Sequence, residues 1–144
     1  MTQNQTQEAA QAQAKGASKI YPFLRYNDAA AAMSWLNKAF GLETVADHRN
    51  ADGTVLHAEL RIGSSILMLG TGPGGDPKSK PRDIARVSHG LFVSVTDPDT
   101  HCQRARAAGA EIVREPEDTD YGSREYAVLD LEGNYWGFGT YRPD

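Results

Sequence analysis

A single cysteine, Cys102, is all that this 144-residue chain contains. No intrachain disulfide can form, so a reducing, cytoplasmic setting is expected. Cys102 stands among helix-like residues, so a small buried side chain is expected there rather than a nucleophile. Long hydrophobic runs are missing too. The longest run of large apolar side chains, Ile66 to Leu69, suits a short strand and falls far short of a membrane span. Basic clusters are absent, and the formal net charge is -4. That balance leaves no phosphate-neutralising surface, so neither nucleic acid nor membrane is an expected partner. The first residues, to about Lys19, are rich in Gln and Ala and almost devoid of large apolar groups. A secretory signal needs a basic start and an apolar stretch; this segment reads instead as a disordered tail over residues 1–19.

What is present is a repeat. Asp28 opens a run ending in Gly41, and Asp97 opens a second run ending in Gly109; an offset of 69 residues carries Asp28 onto Asp97 and Met68 onto Gly137. Each is preceded by an apolar strand-like stretch (Ile20 to Tyr26, Val87 to Val95) and followed by three more. Repetition of this kind fixes architecture before propensity does. It predicts an α+β protein of two βαβββ modules, residues 20–70 and 87–142, forming an open mixed sheet with a cleft. At this length both modules belong to one domain.

Local signals agree. Asp28 and Asp97 are helix caps, with Pro98 suited to the first helical position. Met33, Leu36 and Phe40 form a helical apolar stripe, and Gly41 supplies the left-handed stop. Asp52-Gly53 is a hairpin turn. From Thr54 to Ile62 the strand alternates, with Leu56, Ala58, Leu60 and Ile62 on one face and Val55, His57, Glu59 and Arg61 on the other. Between the modules, residues 71–86 hold many turn formers and no periodicity, which predicts a linker or a flap. The glycines there lead into a strand, not a helix, so they do not make a phosphate-binding loop.

Ala39-Phe40-Gly41-Leu42-Glu43 after the first helix, Tyr121-Gly122-Ser123-Arg124, and Asp130-Leu131-Glu132-Gly133-Asn134-Tyr135-Trp136 near the end resemble segments of the vicinal oxygen chelate superfamily. That superfamily holds glyoxalase I, extradiol dioxygenases and bleomycin resistance proteins, and the bleomycin-resistance-like or PhnB-like branch is the nearest in pattern. The resemblance covers residues 20–142. It implies metal ligands on the first and last strand of each module, the first-strand ligand seven residues before the capping Asp. Those positions here are Tyr21, Gly90, Met68 and Gly137. None offers the carboxylate or imidazole that a hard divalent ion wants. No metal and no other cofactor is therefore expected. His89, beside Gly90, would enter the slot only through a one-residue slip that turns the whole strand over; it reads as a strand-end or core histidine.

The cleft face is expected to carry Tyr21, Phe23, Arg25, His57, Glu59, Arg61, Met68, Phe92, Arg124, Tyr126 and Tyr135, with Gly90, Gly137 and Gly139 leaving its floor open. Of these, Tyr21, Phe23, Arg25, His57, Glu59, Phe92, Arg124, Tyr126 and Tyr135 are the candidate ligand-binding residues. Aromatic walls with a few charges suit a planar, partly polar organic molecule. Trp35 and Trp136 are expected to pack. The function expected is a metal-free homodimer, resembling bleomycin resistance proteins, that sequesters an aromatic or glycopeptide-like ligand. The alternative is a metal-dependent lyase, isomerase or dioxygenase using a set such as His57, Glu59 and His89; catalysis without metal would rest on His57 with Glu59, or on Tyr126 with Arg124.

Overall fold

In the computed structural model, residues 2–5, 19–72 and 89–143 are described. Most of the expected tail and all but Thr71 and Gly72 of the expected linker lie outside them. The first module runs β1 (Phe23–Tyr26), α1 (Ala29–Phe40), β2 (Glu43–Arg49), β3 (Val55–Ile62) and β4 (Ser65–Thr71). The second runs β5 (Gly90–Ser94), α2 (Pro98–Ala107), β6 (Glu111–Asp118), β7 (Arg124–Leu129) and β8 (Tyr135–Gly139). Each module folds as a four-stranded mixed sheet, in the orders β1-β4-β3-β2 and β5-β8-β7-β6. The α+β class and the two modules expected from the repeat are thus observed.

The repeat reaches the level of register. Phe23 lies opposite Met68 and Arg25 opposite Gly70; 69 residues on, Phe92 lies opposite Gly137 and Ser94 opposite Gly139. The caps repeat as well. Asp28 Oδ1 accepts from Ala31 N at 3.0 Å and Asp97 Oδ1 from Thr100 N at 3.1 Å. These bonds satisfy amides that the first helical turn leaves orphaned.

Helix α1 buries Ala29, Ala32, Met33, Leu36, Ala39 and Phe40, the stripe that a 3.6-residue period dictates. Against it pack Ala58, Leu60, Leu67 and Leu69 of its own sheet and Tyr126, Val128, Trp136 and Phe138 of the other. One core therefore serves both modules. Phe40 is its hub, with ring centroids 5.0 Å from Trp35, 5.0 Å from Trp136 and 4.9 Å from Phe138. Trp136 is buried and the half-buried Trp35 donates Nε1 to Ala108 O at 3.2 Å, so both tryptophans pack, as expected. Cys102 is buried as well, and burial raises its thiol pKa.

The helix layer and the turn after β7 join the modules; among the described residues no strand pairing links the two sheets. Glu132 in that turn accepts from Asn27 N and Asp28 N at 2.7 and 2.9 Å. Each sheet keeps one face on the helices and turns the other away; the latter is here called the open face. At the start of β3 burial departs from expectation, with Val55 buried and Leu56 61% exposed. This end of the strand adjoins the register shift between His48 and Arg49, and such irregularities bend and re-aim a strand.

Candidate functional site

On the first module, Phe23, Arg25, His57, Glu59 and Met68 share the open face, fixed by the pairings Phe23 with Met68 and Glu59 with Met68. Arg25 lies over the Phe23 ring, 5.8 Å from its centroid, a cation–π arrangement. His57 Nε2 stands 3.8 Å from Glu59 Oε2. His48 sits directly across from His57, their rings 6.2 Å apart and nearly parallel. His48 is a site-face residue that strand alternation along β2 could have revealed. Arg61 is tied to Glu43 at 2.7 Å. Tyr21 precedes β1 and is half exposed.

On the second module the open face carries Phe92, Tyr135, Glu125 and the glycines. Those glycines do not leave an open floor, contrary to expectation, because neighbouring side chains lie across them. A Cβ at Gly90 would meet Tyr135 Cδ1 at 2.8 Å, one at Gly137 would meet Phe92 Cδ2 at 3.3 Å, and one at Gly139 would meet Glu125 Cγ at 2.5 Å. Missing side chains here let rings and a carboxylate lie flat on the sheet.

Two expected site residues are elsewhere. Tyr126 is fully buried on the helix side, stacked on Phe138 and hydrogen-bonded to His101 Nδ1. Arg124 also turns to the helix side, where Asp99 of α2 accepts from its Nε and Nη2 at 2.7 and 2.9 Å and Asp118 from its Nη1 at 3.1 Å. Two carboxylates hold its pKa above the ordinary guanidinium value and occupy its donors.

The cause is a change of offset. Glu59 opposes Met68, and Ala127 opposes Gly137, so the counterpart of Glu59 lies 127 − 59 = 68 residues on, not 69. One residue turns a strand over. The counterpart of His57 is therefore Glu125, not Tyr126. Glu125 is only 6% exposed; Tyr121 donates its hydroxyl to Oε1 at 2.8 Å, and Arg114 Nη2 approaches at 3.5 Å.

The four positions that the resemblance singles out, Tyr21, Met68, Gly90 and Gly137, supply a phenol, a thioether and two bare backbones, not carboxylate or imidazole. Among the described residues no group of three or more His, Cys, Asp or Glu side chains converges to hold an ion. His89 is exposed, one residue before β5. A crevice of about 840 Å³ opens elsewhere, lined by Lys19 to Pro22, Ile62 to Leu67, Leu91 to Ser94 and Trp136. Of the candidate residues only Tyr21 and Phe92 border it, and Arg25, His57 and Glu59 lie outside it.

Comparison with known proteins agrees with this geometry. The uncharacterised protein Mb0911c of Mycobacterium bovis is 33% identical over 123 residues, covering 83% of this chain and 81% of its own. The crystal structure of TioX from Micromonospora sp. ML1 superposes with a TM-score of 0.68 at 34% identity, covering 85% of this chain and 94% of that one. FosX, a fosfomycin resistance protein from Listeria monocytogenes, shares the fold at TM-score 0.63 and 10% identity, over 88% of this chain and 93% of its own. A family description matches residues 19–138, and with it the chain belongs to the Glyoxalase/Bleomycin resistance protein/Dioxygenase superfamily.

Proposed function

We propose that the protein is a homodimeric binding protein that sequesters an aromatic or glycopeptide-like small molecule without a metal ion. The observation that carries this reading is the composition of the open faces. Where the superfamily would place metal ligands they present Tyr21, Met68, Gly90 and Gly137, and around these stand Phe23, Arg25, His57, Glu59, Phe92 and Tyr135. Rings of this kind stack on planar ligands, and the few charges orient them. The dimer is supported by Phe23 and Phe92, each near half exposed among the described residues. Closing the first open face of one protomer on the second open face of its partner would bury both rings and enclose a ligand.

Calorimetric titration of the purified protein against aromatic antibiotics and metabolites tests this. A bound compound whose affinity survives chelator and falls on changing Phe92 to Ala is expected. The second reading, a metal-dependent enzyme, draws on His57 and Glu59, which stand 3.8 Å apart on one face, and needs a further ligand beside them. Stoichiometric iron, zinc, nickel or manganese in protein purified without chelator, lost in His57→Ala, would establish that reading in place of the first.

A further inference from the structure

We propose that Phe92, Tyr121, Tyr141 and Glu125 form a subsite for an organic cation, a quaternary ammonium or protonated amine, on the second open face. This deepens the binding reading above and rests on it. Tyr141 follows β8 in the same alternation as Gly137 and Gly139, which places its ring on the open face. Its centroid lies 6.4 Å from that of Phe92 and 5.7 Å from that of Tyr121, both near edge-to-face at 68° and 81°. Tyr121 then reaches Glu125 through its hydroxyl. Three exposed rings thus lead to one buried carboxylate.

Two features make the group selective for positive charge. Ring faces carry negative quadrupole potential, which attracts a weakly hydrated cation. The local charge count also leaves a deficit. Glu117 stands directly across from Glu125 on β6, and Arg114 is shared between them at 3.3 and 3.5 Å. Two carboxylates against one guanidinium leave one net negative charge, and like charges directly opposed destabilise a sheet unless something offsets them. A bound cation would do so. Glu125 is desolvated by Gly139 beneath it and Tyr121 above, so its field is weakly screened. Tyr121 and Tyr141 have no comparable structural task, since they remain 63% and 46% exposed.

Choline and its neutral isostere 3,3-dimethylbutan-1-ol have the same shape and differ in charge, so the pair isolates the cation contribution. Titration of the full-length protein, followed by the NMR signals of Tyr and Phe ring protons, is expected to show choline bound about tenfold more tightly. Glu125→Gln and Tyr141→Leu should each bring the ratio close to one; the latter alters an exposed side chain and guards against a folding defect in the former. Equal binding of the two probes, no binding of choline at millimolar concentration, or a ratio unchanged in both variants would overturn the subsite. If aromatic compounds bind the wild type while choline shows no preference, the cleft reading stands and the subsite falls. If neither class binds, both fall.

Discussion

Asp130 is where the first strand and the last hairpin are tied together. It is 5% exposed and accepts from Tyr26 Oη at 2.7 Å, Trp136 Nε1 at 3.1 Å and the amides of Glu132 and Asn134 at 3.0 Å each. Burial first, then the charge of Asp130, raises the Tyr26 pKa well above 10.0. A phenol held neutral in the fold contributes stability that is full below about pH 10 and drains away as pH rises beyond it. Tyr26→Phe should therefore cost about 1–2 kcal/mol at neutral pH and flatten the alkaline limb of a denaturation series. His101 has the opposite sign. Its ring packs on Phe138 at 4.1 Å, and burial, which outweighs a hydrogen bond to the Phe40 backbone, lowers its pKa from 6.5. The neutral imidazole contributes stability present above pH 6.5 and lost as pH falls below it. Chemical denaturation between pH 7 and 5 should show that loss, and His101→Phe should reduce it. Neither residue announces this in sequence, because Asp130 reaches Tyr26 from the other module and the shell around His101 joins Phe40 of the first module to Tyr126 and Phe138 of its own.

At the scale of elements, the pseudo-symmetry has a consequence for the helices. Trp35 of α1 donates to Ala108 O at the end of α2, while Arg104 of α2 donates to Lys38 O and Asn37 O at the end of α1 at 3.0 and 3.2 Å. Trp35 and Arg104 are 69 residues apart, so repeat-equivalent side chains satisfy each other's orphaned terminal carbonyls. The strands carry the less regular part. Gly41 stops α1 in the left-handed region at φ 74°, as its position in sequence implied. The glycines of β8 work by close approach instead. A Cβ at Gly139 would meet Arg124 O, which is backbone, at 2.9 Å, whereas one at Gly137 meets only the movable ring of Phe92 at 3.3 Å. Gly139→Ala is expected to destabilise by roughly 2–3 kcal/mol and Gly137→Ala by less than about 1 kcal/mol, measured by urea denaturation. The offset of 68 on β7 belongs here too. Repeat alignment placed β1, β4, β5 and β8 correctly, but the turns that pair the last two strands differ between modules, Gly63-Ser64 in one and Asp130 to Asn134 in the other. That difference turned Tyr126 inward and Glu125 outward, which no propensity distinguishes.

For the whole molecule, the decisive feature is that one core joins the modules back to back while both open faces look outward. The proposed dimer would bury the half-exposed aromatic rings on both of those faces. Light scattering should give twice the chain mass, and Phe23→Asp or Phe92→Asp should shift the protein toward monomer and abolish binding of aromatic ligands. A monomer at high micromolar concentration that still binds such ligands would contradict the closure of one protomer on another.

Class, module plan, caps and the apolar helix stripe were legible from residue order alone, because each follows from spacing within one stretch of chain. Most of the first open face was legible as well, since a single alternating strand, β3, places His57 and Glu59. The membership of the second face was not. It depends on how β7 registers against β8 and on which side chains fold over glycine, and a pairing between distant segments is decided only when the whole core is packed.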